Sequence, residues 1–108
     1  MIPQIEHIDA VHDIEAISMV AGVSALFVDP LDLAASLGRP GLSDGNEVSA
    51  AIYRVHQVCT EAERRIGIHA PDADSAARWF ETGYSLIAVA SDAVLLGQRA
   101  RDQVQLLK

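Results

Sequence analysis

The segment Ser24-Ala25-Leu26-Phe27-Val28-Asp29-Pro30-Leu31-Asp32-Leu33-Ala34-Ala35-Ser36-Leu37-Gly38 constrains this chain more than any other. A short apolar run stops at an acidic turn containing proline, and a helical pattern starts at once. That is how a strand hands over to a helix at its C-terminal end. Parallel sheets covered by helices bind ligands along that end, which makes Asp32 a candidate site residue. Glu6 is a second candidate, since it closes the apolar opening Met1-Ile2-Pro3-Gln4-Ile5 and precedes a helix expected to begin near Asp9.

The strand-to-helix alternation occurs four times, the pattern of an α/β protein with a parallel sheet. The first unit joins a strand from Ile2 to Ile5 to a helix from about Asp9 to Met19, with Val11, Ile14 and Ile17 at helical spacing and Gly22 closing the turn. The second joins Ala25 to Val28 to a short helix through Leu37. After a loop at Arg39 to Gly45, a longer helix is expected from an Asn46 cap, with Val48, Ala51, Ile52, Val55, Val58 and Cys59 forming one apolar stripe. A third strand, Arg65 to His69, leads through Pro71 and an Asp74 cap to a helix through Phe80 that stops at Gly83. The fourth, Leu86 to Ala90, leads to an Asp92 cap and a last helix with Leu96, Ala100, Val104 and Leu107 inward.

No linker divides these units, so residues 1–108 read as one domain. Such a chain falls well short of the roughly 200–250 residues of a complete (β/α)8 barrel; half a barrel is what fits. A four-stranded half-barrel leaves both edge strands unpaired and its inner face half covered, so it is expected either to be a fragment of a larger enzyme or to associate with copies of itself. With 15 acidic against 8 basic residues, the chain has no basic run to neutralise phosphates, which argues against a nucleic acid or an anionic membrane as partner. No charged start followed by an apolar stretch marks a signal peptide, and no run of about 18 apolar residues marks a membrane span. The one cysteine, Cys59, lies in the apolar stripe without a partner for a disulfide, which favours a reducing, cytoplasmic setting and a core thiol.

In order along the chain stand Gln4-Ile5-Glu6, then Phe27-Val28-Asp29-Pro30-Leu31-Asp32-Leu33 through Gly38, then Gly67-Ile68-His69-Ala70, then Ala88-Val89-Ala90-Ser91-Asp92. This series resembles the C-terminal half of the HpcH/HpaI aldolases, metal-dependent pyruvate aldolases built on a (β/α)8 barrel. The most specific piece is the P-x-D-L-x-x-S-L-G block from Pro30 to Gly38, one strand-helix unit after a strand-terminal Glu. The resemblance implies a parallel (β/α)4 half of a TIM barrel and a lyase that cleaves 4-hydroxy-2-oxo acids to pyruvate and an aldehyde. It also implies that Glu6 and Asp32 hold a divalent metal (Mg, Mn or Co) and that the backbone N–H groups of Leu31 and Asp32 hold the substrate carboxylate. His69 falls where relatives often have an apolar residue lining the pocket, so it is a candidate contact for the aldehyde part of the substrate or a metal ligand, with a rim histidine making ordinary hydrogen bonds as the plainer reading. A homo-oligomer is implied as well, because related aldolases pack their final helix against a neighbouring subunit.

Read without the family, Glu6 near a helix start and Asp32 in the first turn of another serve equally well as capping residues. Two features depart from the family pattern. Relatives usually carry Gly-Pro-x-Asp-Leu, whereas Asp29 stands in the Gly position here, either adding a third ligand or repelling an anionic substrate and distorting the turn. The catalytic His and Arg that the resemblance places on the first strands of the barrel match no region of these residues. The chain is therefore expected to carry the metal-binding half and to be inactive alone. The alternative is a non-catalytic, truncated α/β module that associates with itself or binds a small anion. His7, His12 and His56 lack the spacing of a zinc site and read as surface residues, and Trp79 with Phe80 reads as helix packing.

Overall fold

Strands and helices alternate throughout the computed structural model, which describes all 108 residues. The first unit comprises β1 (Gln4–Ile5), α1 (Ile8–His12) and α2 (Ile14–Ser18); the second comprises β2 (Ala25–Val28), α3 (Pro30–Ser36) and α4 (Asn46–Glu61). Then follow β3 (Arg65–Ala70), α5 (Ala73–Glu81), β4 (Leu86–Val89) and α6 (Asp92–Leu106). The sheet is wholly parallel, in sequential order β1-β2-β3-β4, with Ile5 beside Val28, Val28 beside Ile68 and Ile68 beside Ile87. All ten pieces belong to the expected half-barrel.

Side chains alternate across a pleated strand, so this register gives the sheet two unlike faces. One face, with Ile5, Leu26, Val28, Ile66 and Ile68, packs on the helices and is almost wholly buried. The α4 stripe from Val48 to Cys59 is its main cover, and every residue assigned to that stripe is buried. Arg64 fastens the far end, donating from Nε to the Ser18 carbonyl at 2.8 Å and from Nη1 to that of Val23 at 3.0 Å. The other face carries Gln4, Phe27, Gly67, His69, Leu86 and Ala88, of which Gln4, Leu86 and Ala88 are exposed. Phe27 and Leu86 crowd Gly67 there: a Cβ at Gly67 would lie 2.7 Å from Phe27 Cδ2 and 2.8 Å from the Leu86 carbonyl oxygen. Only glycine allows the strands to approach in this way.

Several boundaries differ from the expectation. The first helix is two short ones, because Asp13 leaves helical geometry (φ −93°, ψ 13°) and re-aims the chain so that Val11 and Ile14 both reach the core. The α4 cap is Gly45, with Asn46 already helical. Asp72 rather than Asp74 caps α5, its extended backbone letting the carboxylate accept the Ser75 N–H at 2.7 Å. Ser91 rather than Asp92 caps α6, its Oγ accepting the Val94 N–H at 3.3 Å. Trp79 packs against the core as expected, but Phe80 is 71% exposed.

The largest difference is α6, which buries none of its residues; Leu96, Val104 and Leu107, expected inward, all face solvent. Its projection stretches the molecule to 54 × 28 × 22 Å, with a radius of gyration of 15.5 Å against about 13 Å for a compact chain of this length. No helix is long and apolar enough to cross a membrane.

Candidate functional site

Parallel strand order brings Glu6 and the turn of Asp29 to Asp32 to one rim. The Asp29 N–H donates to the Ile5 carbonyl at 3.1 Å, so the residue leaving β1 and the residue leaving β2 are neighbours. Glu6 follows Ile5 directly, and Asp32 lies in the first turn of α3. Both carboxylates are exposed. The two connecting segments are also tied together: Ser36 at the end of α3 accepts the Ile8 N–H at 3.1 Å while donating to the Leu33 carbonyl at 2.7 Å. Ser36 thus holds the turn that carries Glu6 against the helix that carries Asp32. Its place in the Pro30 to Gly38 block was visible in the sequence, but its partner lies 28 residues away and no local signal names it.

Asp29 is an N-cap. Its Oδ1 accepts the N–H groups of Leu31 at 3.0 Å and Asp32 at 3.3 Å, and its Oδ2 accepts Gln4 Nε2 at 3.3 Å. Both oxygens therefore already serve protein donors, and the two N–H groups at the start of α3 already have a carboxylate. Asp29 neither distorts the turn nor stands free as a ligand; Pro30 at the first helical position and this cap form a regular helix start.

His69 lies on the same face of the sheet as Phe27 and Gly67, half-buried. Its Nε2–H donates to the Ala90 carbonyl at 3.1 Å, which leaves Nδ1 as an acceptor. Ala90 has φ 57°, a left-handed conformation that costs a residue with a Cβ about 1–2 kcal/mol. Its own N–H donates to the Ala70 carbonyl at 2.8 Å, so the strained turn at the end of β4 is held from both sides. No group of three or more His, Cys, Asp or Glu side chains in the molecule is arranged to hold a metal ion.

Away from the rim, Tyr84 is buried against Trp79 (ring centroids 5.0 Å apart, T-shaped) and His56 (5.3 Å). Its hydroxyl has no hydrogen-bond partner. Burial, and then neighbouring Cys59, pushes its phenol well above the usual range. Burial lifts the Cys59 thiol to about 11, that of an inert core cysteine. This cluster joins α4, α5 and the approach to β4, and residue spacing gives no hint of it.

A sequential parallel sheet with helices packed on one face is the arrangement of half a (β/α)8 barrel. The chain belongs to the HpcH/HpaI aldolase/citrate lyase family, whose model matches residues 1–98. It is 38% identical over 104 residues to a hydroxypyruvate/pyruvate aldolase of Paraburkholderia phytofirmans, covering 96% of this chain and 40% of that protein. It is 39% identical over 89 residues to a 5-keto-4-deoxy-D-glucarate aldolase of Klebsiella pneumoniae, covering 82% of this chain and 35% of that protein. The crystal structure of an HpcH/HpaI aldolase/citrate lyase family protein from Burkholderia cenocepacia superposes with a TM-score of 0.90 at 38% identity, covering 98% of this chain and 41% of that one. The chain thus spans about two fifths of the length of the relatives it matches.

Proposed function

We propose that this chain is the metal-binding half of an aldol lyase that cleaves 4-hydroxy-2-oxo acids to pyruvate and an aldehyde, and that it does not turn over alone. The observation that supports the reading is that the segments carrying Glu6 and Asp32 leave neighbouring strands at one rim and are tied by the Asp29–Ile5 backbone bond and the Ser36 hydroxyl. Two carboxylates are the donor set of a hard cation that fills its remaining positions with water and substrate oxygens, so Mg, Mn or Co suits Glu6 and Asp32. Such an ion supplies Lewis acidity at a keto oxygen.

The chain's own residues have narrower tasks. Leu31 and Asp32 offer backbone N–H groups to a substrate carboxylate, but only when Asp29 swings away from them. His69, with Nδ1 free, offers an acceptor to the aldehyde portion. Nothing in the chain is placed as the proton-moving base, which the family resemblance assigns to strands outside these residues. The partners this reading implies are a small 2-oxo acid and further copies of the chain, and the lone buried thiol is in keeping with a reducing cytoplasm.

Calorimetry with Mn2+ tests the metal assignment. Glu6→Gln and Asp32→Asn should each weaken binding by at least about tenfold, the loss of one charged ligand; equal binding by both variants ends the reading. A coupled assay for pyruvate release should stay at background with Mg2+ or Mn2+, and turnover by the chain alone would show that a base has been overlooked. A second reading, a non-catalytic module, is favoured by Asp29, whose carboxylate occupies the N–H pair that a substrate needs. It predicts no Mn2+ binding and no effect of pyruvate on stability.

A further inference from the structure

We propose that the cleft between α4 and α5 binds a small aromatic α-amino acid. Two cavities of about 420 Å3 each lie there, within the usual range for small-molecule sites, and they share Ser49, Ile52, Trp79 and Thr82 as walls. They are the two ends of one cleft.

The ends differ in chemistry. The chain has one Trp, two Tyr and two Phe, and the Trp and both Tyr line this one cleft. Tyr53, Trp79, Tyr84 and the His56 imidazole form the apolar end, with His56 fixed in place by its Nε2 contact to the Thr82 carbonyl at 3.0 Å. Aromatic rings at edge-to-face spacing accept a further ring. The other end, towards the strand rim, is lined by Ser43, Asp44, Ser75 and Arg78. Arg78 donates to Ser75 Oγ at 2.9 Å and forms no ion pair; Asp44 forms none either. Arg78, which forms no ion pair but lies near enough to Asp72 to stabilise its charge, and Asp44, outside any ion pair, stand at the polar end. With the aromatic rings at the other end they complement a ligand with a carboxylate, an ammonium group and an aromatic side chain. A plain aryl carboxylate would meet Asp44 unsatisfied, and an aryl amine would leave Arg78 so.

The polar end also touches Leu31 and His69 at the strand rim, whereas the aromatic end lies clear of them, and the fold supplies its own reporter. Trp79 is the only tryptophan and lines both cavities, so its emission reads occupancy without reference to catalysis. Titration of the full chain with L-phenylalanine should give a saturable change in Trp79 emission. Hydrocinnamate, lacking the ammonium, and phenethylamine, lacking the carboxylate, should each bind at least about tenfold more weakly, as should L-phenylalanine to Arg78→Gln and Asp44→Asn. Tyr53→Ala removes an exposed ring without touching the core and should weaken binding while the circular dichroism stays unchanged. Absence of both an emission change and calorimetric heat overturns the proposal. So do equal midpoints for the three probes, or an Arg78→Gln variant that binds like the parent.

Discussion

Asp29 accepts the Leu31 N–H through Oδ1 at 3.0 Å, an internal carboxylate seated where the family resemblance puts the carboxylate of a substrate. Asp29→Ala should cost about 1 kcal/mol in urea denaturation, the value of a lost cap, and Asp29→Asn only a few tenths, because Asn caps as well as Asp. Asp29→Gly vacates the N–H pair at little cost in stability. With Mn2+ present, pyruvate should raise the melting temperature of Asp29→Gly and not that of the parent chain. Equal protection of both would show that Asp29 yields freely to substrate.

Ser36 joins the two halves of the candidate site with one hydroxyl, so its removal should have two readouts. Ser36→Ala should lower stability by about 1 kcal/mol, the ordinary worth of a hydrogen bond, and leave the Ile8 N–H without its partner. Mn2+ affinity should fall along with it, because the Glu6 turn is then free of α3. A stability loss with unchanged Mn2+ binding would confine Ser36 to a structural role.

Gly67 is held between Phe27 and Leu86 on the face of the sheet away from α4. Gly67→Ala pushes a methyl group into backbone as well as side chain, so a loss of about 1–3 kcal/mol is expected from chemical denaturation. Paired with Phe27→Ala, which clears the nearer obstacle, the loss should shrink only in part, since the Leu86 carbonyl does not move.

Stability should fall at both ends of the pH scale for separate reasons. The Ser75 backbone N–H, and then its hydroxyl, hold the Asp72 carboxyl below its usual range. A lowered folded pKa gives stability that is present above the unfolded value and lost as pH falls through the folded one, so α5 should fray in acid below about pH 4. The Cys59 thiol is raised to about 11, the opposite case: its contribution is intact below about pH 9 and lost as pH rises towards 11. Equilibrium unfolding across this range should show both limbs, and Cys59→Ala should flatten the alkaline one. At pH 8 the native thiol should react with Ellman's reagent far more slowly than in denaturant.

Helix α6 exposes Leu95, Leu96, Val104 and Leu107 along a segment with no cover of its own. Covering a few hundred Å2 of such surface at about 25 cal/mol per Å2 gives several kcal/mol before association costs, enough for self-association at micromolar concentration. Light scattering after size exclusion should show dimers or larger species that Leu96→Glu or Val104→Glu dissolves. A monomer at tens of micromolar would rule this out.

What could be read from the sequence follows from how local each signal is. The α4 stripe from Val48 to Cys59 repeats at helical spacing within one element, and β2 carries four apolar residues in a row, so both were legible. That Glu6 and Asp32 follow strands ending at the same rim needed only parallel order, which the alternation supplied. Caps were misplaced by one or two residues because Asp72 and Asp74, or Ser91 and Asp92, are chemically equivalent until one of them takes extended backbone angles. The break at Asp13 was hidden because Val11, Ile14 and Ile17 keep a helical rhythm across it. The inward stripe of α6 was legible as a pattern, but the surface it would cover is not among the elements this chain packs together. The meeting of His56, Trp79 and Tyr84 is purely tertiary.

Every buried residue of the chain lies at or before Tyr84; beyond it no side chain is enclosed. Residues 85–108 are therefore held by backbone bonds to β3, by the His69 bond to Ala90, by α5 beside β4 and by partly buried Ile87, and are expected to open before the core does. Amide exchange should be fast there and slow in β2, β3 and α4, and limited proteolysis should trim the chain back towards Tyr84 before it cuts elsewhere. The chain thus keeps its whole buried core within residues 5–84 and carries a regular strand and helix outside it.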